Sequence, residues 1–488
     1  MFPAPLPLRR LPAYLILAAA VASSSVSLRA EDLSDIYTRP SPPSREALER
    51  LNLKVGWSLY LPVEGKRDGI FSVQVLEKDL FVQTRGGVFL VVNAETGEVK
   101  WRTRVGEVYR PVHPVGYNRK TVFVVSDTDV YALDRTDGHT LWVFRMPGSA
   151  AAPPIADEER LFLNVGTGRL HAYHIPTKLE LEDYAKGLTA KKPESAVDPR
   201  AVDFRKGGGF VRGTDVSAIG PLSPARLVGK SEVTGPQPRE EWTYFTEARV
   251  EKTPLQIEDT LLLAEVNGLI EGLTKAAAKV NYRVPLERGI ALQPGQYGKT
   301  AYIAAQDSNL YAANIETGYV QWRFTDGAVY TRSPAVTDKV IFLATERKGL
   351  YCIGREDGDL KWRSPTGGRF LAANSKFVYA ADRSDRFLVL DRERGTVLST
   401  YDLREFVFPI ANERTDRIYL AAHNGLLLCL HDRDFDKPLV MKKDEKPPEK
   451  PGDKPGEKPG DKPGEKPADK PGDKDKPIDK DGKEEIKK

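Results

Sequence analysis

Short runs of alternating apolar and polar residues recur along this chain, each closed by a cluster of turn-forming residues. Val130-Tyr131-Ala132-Leu133 and Asn309-Leu310-Tyr311-Ala312 have the period-2 alternation of half-buried strands. Each is preceded by another such run, Thr121 to Val125 or Val340 to Leu343, across polar hairpins such as Ser126-Asp127-Thr128-Asp129 and Glu346-Arg347-Lys348-Gly349. Upstream again lies a proline-containing strand, as in Thr331-Arg332-Ser333-Pro334-Ala335-Val336. Downstream come an Asp or Asn, a Thr or Asp, a glycine and a tryptophan. Asn93 to Trp101 sets this pattern; Asp134 to Trp142, Asn314 to Trp322 and Gly354 to Trp362 repeat it, with Gly97, Gly138, Gly318 and Gly358 four residues before the ring. Glycine supplies the positive φ that such turns require. Four short strands per repeat, with a turn at every junction, predict a propeller blade. No stretch of the body sustains a helical period, so no helix is expected there.

The aromatic rings give the ruler. Trp101 and Trp142 are 41 residues apart, and Trp242, Tyr282, Trp322 and Trp362 follow at intervals of 40. Trp57 lies 44 residues before Trp101, and Ser399 fills the slot after Trp362. The gap of 100 between Trp142 and Trp242 is one period plus an insert of about 60 residues. Eight hairpin pairs match eight slots, but with an offset, because Trp57 precedes the first pair and no slot follows the last near 417–430. Circular closure resolves the offset. Trp57 to Leu61 should supply the outer strand of the last blade, leaving no open seam in an all-β, eight-bladed propeller of four-stranded antiparallel blades.

This repeat resembles the quinoprotein-type, pyrroloquinoline-quinone-like propeller repeat over about residues 55 to 433. WD40 and kelch repeats fit less well, for want of a Gly-His…Trp-Asp signature and because the kelch period is longer. The resemblance implies one of two functions. One is a non-catalytic scaffold, as in the propeller lipoprotein of the bacterial outer-membrane barrel-assembly machinery. The other is a calcium- and quinone-dependent dehydrogenase of alcohols or sugars. The scaffold is the reading adopted, with no enzyme activity, no cofactor and no catalytic or metal residue carried over.

Composition refines the flanks more than the body. Arg9-Arg10 followed by the apolar run Leu11 to Ala22 predicts a signal peptide over 1–22, with cutting after Ala30 as the alternative. The expected location is therefore periplasmic or extracellular in a bacterium. No cysteine precedes Cys352, so no lipid anchor is expected. Residues 31–54 form a polar lead-in with a short helix capped by Ser44. From 442 to 488 the Lys-Pro-Gly-Asp/Glu repeats are nearly neutral and almost free of apolar residues, which predicts a disordered tail. The tail is either a spacer, an arm toward anionic wall polymers, or simply solvated chain. A formal net charge of +4 on 488 residues singles out no partner class and gives no reason to invoke nucleic acid.

Candidate chemistry is sparse. Cys352 and Cys429, on equivalent strands of the sixth and eighth blades, are expected as separate buried thiols. His171 and His174 should point to opposite faces of one strand, which disfavours a shared metal. Asp127, Asp129, Asp307, Glu346 and Asp382 are expected to serve as hairpin-turn residues. The insert at 183–240 carries Gly207-Gly208-Gly209 among basic residues but lacks a phosphate-loop framework, and could be a partner-binding loop, a lid or an unstructured excursion. Residues entering the innermost strands should line the funnel, among them Glu107, His113, Glu251 and Glu405, together with a basic set of Arg110, Lys252, Arg332, Arg369 and Arg404. That basic set is the candidate rim for an envelope protein or anionic envelope polymer, on a protein expected to be monomeric.

Overall fold

The computed structural model describes residues 41–61, 63, 69–106, 112–166, 168–190, 234–406 and 408–442. Strand alternation becomes eight four-stranded antiparallel sheets. The first seven blades take four successive strands each, over 70–104, 116–145, 155–245, 255–285, 295–325, 335–364 and 367–401. The eighth is built from both ends of the body: Phe408–Ile410, Ile418–Ala421 and Leu426–Asp432, completed by Leu53–Tyr60. The closing pair runs antiparallel, with Leu53 opposite Asp432, Trp57 opposite Cys429 and Tyr60 opposite Leu426. Leu61 N–H extends the ladder to Gly425 O at 2.9 Å. Circular closure is thus the observed solution.

Each ruler residue sits on an outer strand and docks on the next blade. Trp57, Trp101, Trp242, Trp322 and Trp362 donate their ring N–H to the carbonyls of Ala94, Arg135, Lys275, Arg355 and Arg392 at 2.8–3.3 Å. Tyr282 does the same through its hydroxyl, to Ile315 O at 2.5 Å. Every acceptor lies three residues before the left-handed position of the third-to-fourth turn in the following blade, and where that position is glycine it lies against the ring. At Gly97 (φ +75°) a Cβ would stand 2.6 Å from the Trp57 ring, so both the backbone conformation and the ring demand glycine. One blade departs from this. Ala278, at φ +52°, takes the glycine position beside Trp242.

The residue opposite each ring, on the third strand, is small: Val91, Ala132, Ala172, Gly272, Ala312, Cys352 and Cys429. Both cysteines are free and buried there, and burial pushes each thiol up to about 12. They act as small core residues beside an aromatic ring.

Two junctions depart from the rule. In the third blade the turn that should cover Trp142 is where the insert leaves. Cover comes instead from the returning chain, where Gly235 lies over Trp142 and Thr234 exchanges backbone hydrogen bonds with Val143 on the outer edge of blade two. Between blades seven and eight the slot holds Ser399. There the helix Arg45–Arg50, N-capped by the Ser44 side chain, adds Leu48 and Leu51 to a core shared with Tyr379, Phe387, Leu403 and Phe406. Asp432, buried, accepts hydrogen bonds from Asn52 at 2.8 Å, Asn374 at 2.9 Å and Tyr379 at 3.2 Å.

The body also holds a helix that the pattern did not suggest, Lys178–Ala190 at the root of the insert. Its signal was local. Thr177 and Glu180 form a capping box, with Thr177 N–H and hydroxyl donating to Glu180 at 2.7 and 2.9 Å. Among the described side chains of this helix, Leu181 is packed on the blade two–three core, while Leu179 and Tyr184 face solvent.

Antiparallel strands give each blade two ends. The turns from first to second and from third to fourth strand lie on what we term the glycine-turn face. The second-to-third turns and the blade-to-blade connections lie on the connection face. The Arg45–Arg50 helix, the root of the insert and the segment after Asp432 all leave from the glycine-turn face, as the ends of their strands require. That last segment doubles back over it. Val440 bridges Thr415, Met441 N–H donates to Arg414 O at 2.7 Å, and Met441 O accepts from Asp338 N–H of blade six at 3.0 Å.

Candidate partner-binding mouth

In blades four, five and six the connection leads into a proline just before the inner strand, and the position two residues before that proline recurs from blade to blade. Lys252, Leu292 and Arg332, before Pro254, Pro294 and Pro334, occupy this position in three neighbouring connections. The connections are cross-tied. Gln293 accepts from Thr253 N–H at 2.8 Å and donates to Thr253 O at 2.9 Å. One layer deeper, Gln296 donates to Gln256 O at 3.0 Å and Gln256 to Ala156 O at 2.8 Å. Side-chain amides thus hold the rim in place without help from a ligand.

The expected basic rim divides on inspection. Arg110, with Glu107, lies outside the described residues. Arg404 is exposed, but its guanidinium is clamped on Asp402 in its own connection at 2.5–3.1 Å. Arg369 is only 16% exposed and pairs with Asp385 of the adjacent hairpin. Burial lowers its pKa, Asp385 opposes that, and Arg332 lowers it further, which places the Arg332 charge close by. The Arg369 Nε is buried with no acceptor. Lys252 and Arg332 make no side-chain hydrogen bond or ion pair among the described residues. Arg332 is exposed; Lys252 is half-buried, along a cavity of about 450 Å³ lined by Ser149, Ala150, Gly166, Arg249 and Glu251. Glu251 in turn is held by Arg249 at 3.2 Å.

His113 reaches the Ala150 carbonyl at 3.2 Å, and its burial lowers its pKa. Behind the Arg249–Lys252 connection lies a network that no sequence motif singles out. Glu265 and Glu271 are both fully buried. Glu265 accepts from the N–H groups of Glu247 at 3.2 Å and Ala248 at 2.8 Å, and Glu271 from Arg283 at 2.7 Å and Tyr244 at 3.1 Å. Burial drives Glu265 up to about 7, against the Ala248 N–H, with Glu271 raising it further through charge and a direct hydrogen bond. A proton shared between the carboxyl groups lets both stay buried.

The turn carboxylates behave as hairpin groups where their bonds are visible. Asp307 caps Asn309 N–H, and Asp382 caps Ser384 and Arg386 N–H. His171 is buried against Thr243 and Glu240, whereas His174 reaches Glu241 and Glu180 on the other side of the strand. Among the described residues no three His, Cys, Asp or Glu side chains converge in a metal-binding group.

Fold and mouth together define an eight-bladed propeller of PQQ-like repeats, with its partly unpaired cations on the connection face. The family model described as outer membrane protein assembly factor BamB matches residues 46–179, 229–362 and 328–425, and the chain belongs to this PQQ-like propeller family. Among solved structures it is similar to BamB from Moraxella catarrhalis, at 14% identity and a TM-score of 0.53, covering 78% of this chain and 97% of that one. It is also similar to the computationally designed Ika8 protein, at 11% identity and a TM-score of 0.50, covering 76% and 98%. At these identities the two structures speak for the fold alone. No curated protein matches the chain.

Proposed function

We propose that this protein is an exported, non-catalytic scaffold of the bacterial envelope that binds another envelope protein through its connection face. The observation that carries this reading is the rim itself: Lys252, on a connection tied to its neighbour through Thr253 and Gln293, and the exposed Arg332 have no side-chain partner among the described residues, which is binding surface rather than reaction machinery. Family membership supports an assembly role. The apolar run Leu11 to Ala22 supports export, and no described helix is long and apolar enough to cross a membrane. The root of the insert, Lys178–Ala190, leaves from the glycine-turn face.

The residues described fit a calcium–quinone centre poorly. Four carboxylates of the connection face are already engaged: Glu251 by Arg249, Asp326 by Lys348 and Tyr351, Asp385 by Arg369, and Asp402 by Arg404. The test is affinity capture from envelope extracts with wild type and with Lys252→Glu/Arg332→Glu. The double variant should lose its principal partner while keeping its melting temperature, because exposed charges add little stability. Oxidation of an alcohol or sugar by the wild type after titration with quinone and calcium would overturn the scaffold reading.

A further inference from the structure

The chemistry of the rim narrows the partner, on the assumption that the scaffold reading holds. Lys252, Leu292 and Arg332 are spaced by 40 residues, at one repeat position in three successive connections. They therefore lie in sequence around the mouth as cation, apolar residue, cation. The apolar centre, Leu292, is half-buried against the core between blades five and six. The Thr253–Gln293 pair fixes the first two positions relative to each other, so the surface is pre-organised and binding need not order it.

Both cations lack an acceptor. Arg332 lies within electrostatic reach of another arginine, Arg369, which has one carboxylate partner in Asp385 and a buried Nε without an acceptor. Two guanidinium groups sharing one carboxylate leave room, electrostatically, for a second. Lys252, by contrast, is a lone ammonium whose stem follows the cavity wall beside Ala150 and Gly166. The rim therefore has one strong carboxylate site, one weaker site and an apolar step between them.

We propose that the connection face docks an extended acidic peptide segment of its partner, with one carboxylate at Arg332 beside Arg369, an apolar side chain over Leu292, and a second carboxylate at Lys252. A peptide suits this arrangement better than an anionic polymer, because a uniform polyanion has nothing to place on the apolar step. The alternation of sign and polarity is what an Asp-apolar-Asp segment complements.

The test uses the full chain and fluorescein-labelled peptides in which two aspartates flank a central leucine at separations of two, four or six residues. At least one spacing should bind in low salt. Its affinity should fall tenfold or more with Arg332→Glu, by a smaller factor with Lys252→Glu, and several-fold when the peptide leucine becomes serine. Arg404→Glu, whose arginine is already paired with Asp402, should bind like wild type. Equal binding of the Asn-Leu-Asn counterparts, or unchanged binding by the Arg332→Glu/Lys252→Glu double variant, would overturn the dock. Tight binding of long-chain polyphosphate with no peptide bound at any spacing would overturn it too, in favour of a polymer. If the peptides fail while envelope capture still depends on Lys252 and Arg332, the scaffold stands and only the acidic-segment assignment falls.

Discussion

The junction between blades five and six and that between blades seven and eight solve one problem with different chemistry. In the first, Trp322 lies against Gly358 and donates to Arg355 O at 3.3 Å. In the second no ring is present. A helix from the N-terminal lead-in brings Leu48 and Leu51, and Asp432 gathers donors from Asn52, Asn374 and Tyr379. The aromatic solution is local to one repeat and its neighbour, so it can be copied around the ring. The other draws on segments nearly four hundred residues apart in sequence and occurs at the blade that the two ends of the body close together. A ring of repeats thus accepts a missing ring wherever chain from outside the repeat can fill the space.

The largest test of that contrast removes the outside chain. Deleting 31–61 takes away the helix, the closing strand and Trp57 at once. It should lower the denaturant midpoint far more than deleting 443–488, which lie beyond the last described contact. Equal midpoints would refute the closure. Next in size, Trp322→Ala should cost about 3–5 kcal/mol, as large-to-small changes at packed aromatic sites do. Ser399→Ala, in the slot without a ring, should cost less than about 0.5 kcal/mol. An unmoved melting temperature for Trp322→Ala would mean that the ring does not hold the junction.

The junction between blades three and four adds a pH dependence. Glu265 is raised from an ordinary 4.5 to about 7, so the folded state holds a proton that the unfolded chain has released. Its contribution to stability is full below about 4.5 and is lost as pH rises through about 7. Melting temperature measured across that window should fall, and Glu265→Gln should flatten the slope. A wild-type slope identical to the variant's would remove the shared proton from the account. Ala278→Gly should stabilise by about 1 kcal/mol by relieving the left-handed conformation where alanine stands in for glycine beside Trp242.

The architecture was legible in the chain because the Trp-to-Gly contact is built from residues at fixed spacing within one repeat and the next. The departures were not, and the reason is distance in sequence. Asp432 meets Asn374 and Tyr379 from more than fifty residues away, and Gly235 reaches Trp142 across the whole insert. The helix at 178–190 was readable in principle from Thr177-Lys178-Leu179-Glu180, but only with the period-2 expectation set aside. At the mouth, the register of Lys252 and Arg332 follows from the forty-residue period. Which arginines are already spent does not, because the partner of Arg369 comes from a different hairpin.

Closure by Leu53–Tyr60 also fixes how the molecule meets mechanical load. The two chain directions leave the closing strand pair at the same end, beside Leu53 and Asp432. Tension between the flanking segments must first lift the Val440–Met441 crossing from Thr415 and Asp338. It then opens the Leu53–Asp432 ladder from that end, one rung after another, rather than shearing all the rungs together. The docked helix with Leu48 and Leu51 and the Asn52–Asp432 hydrogen bond resist at that end first, and Trp57, near the middle of the strand, is the next large obstacle. A seam that is continuous with the ring against heat or denaturant is therefore the place where a pulling force would unfasten it.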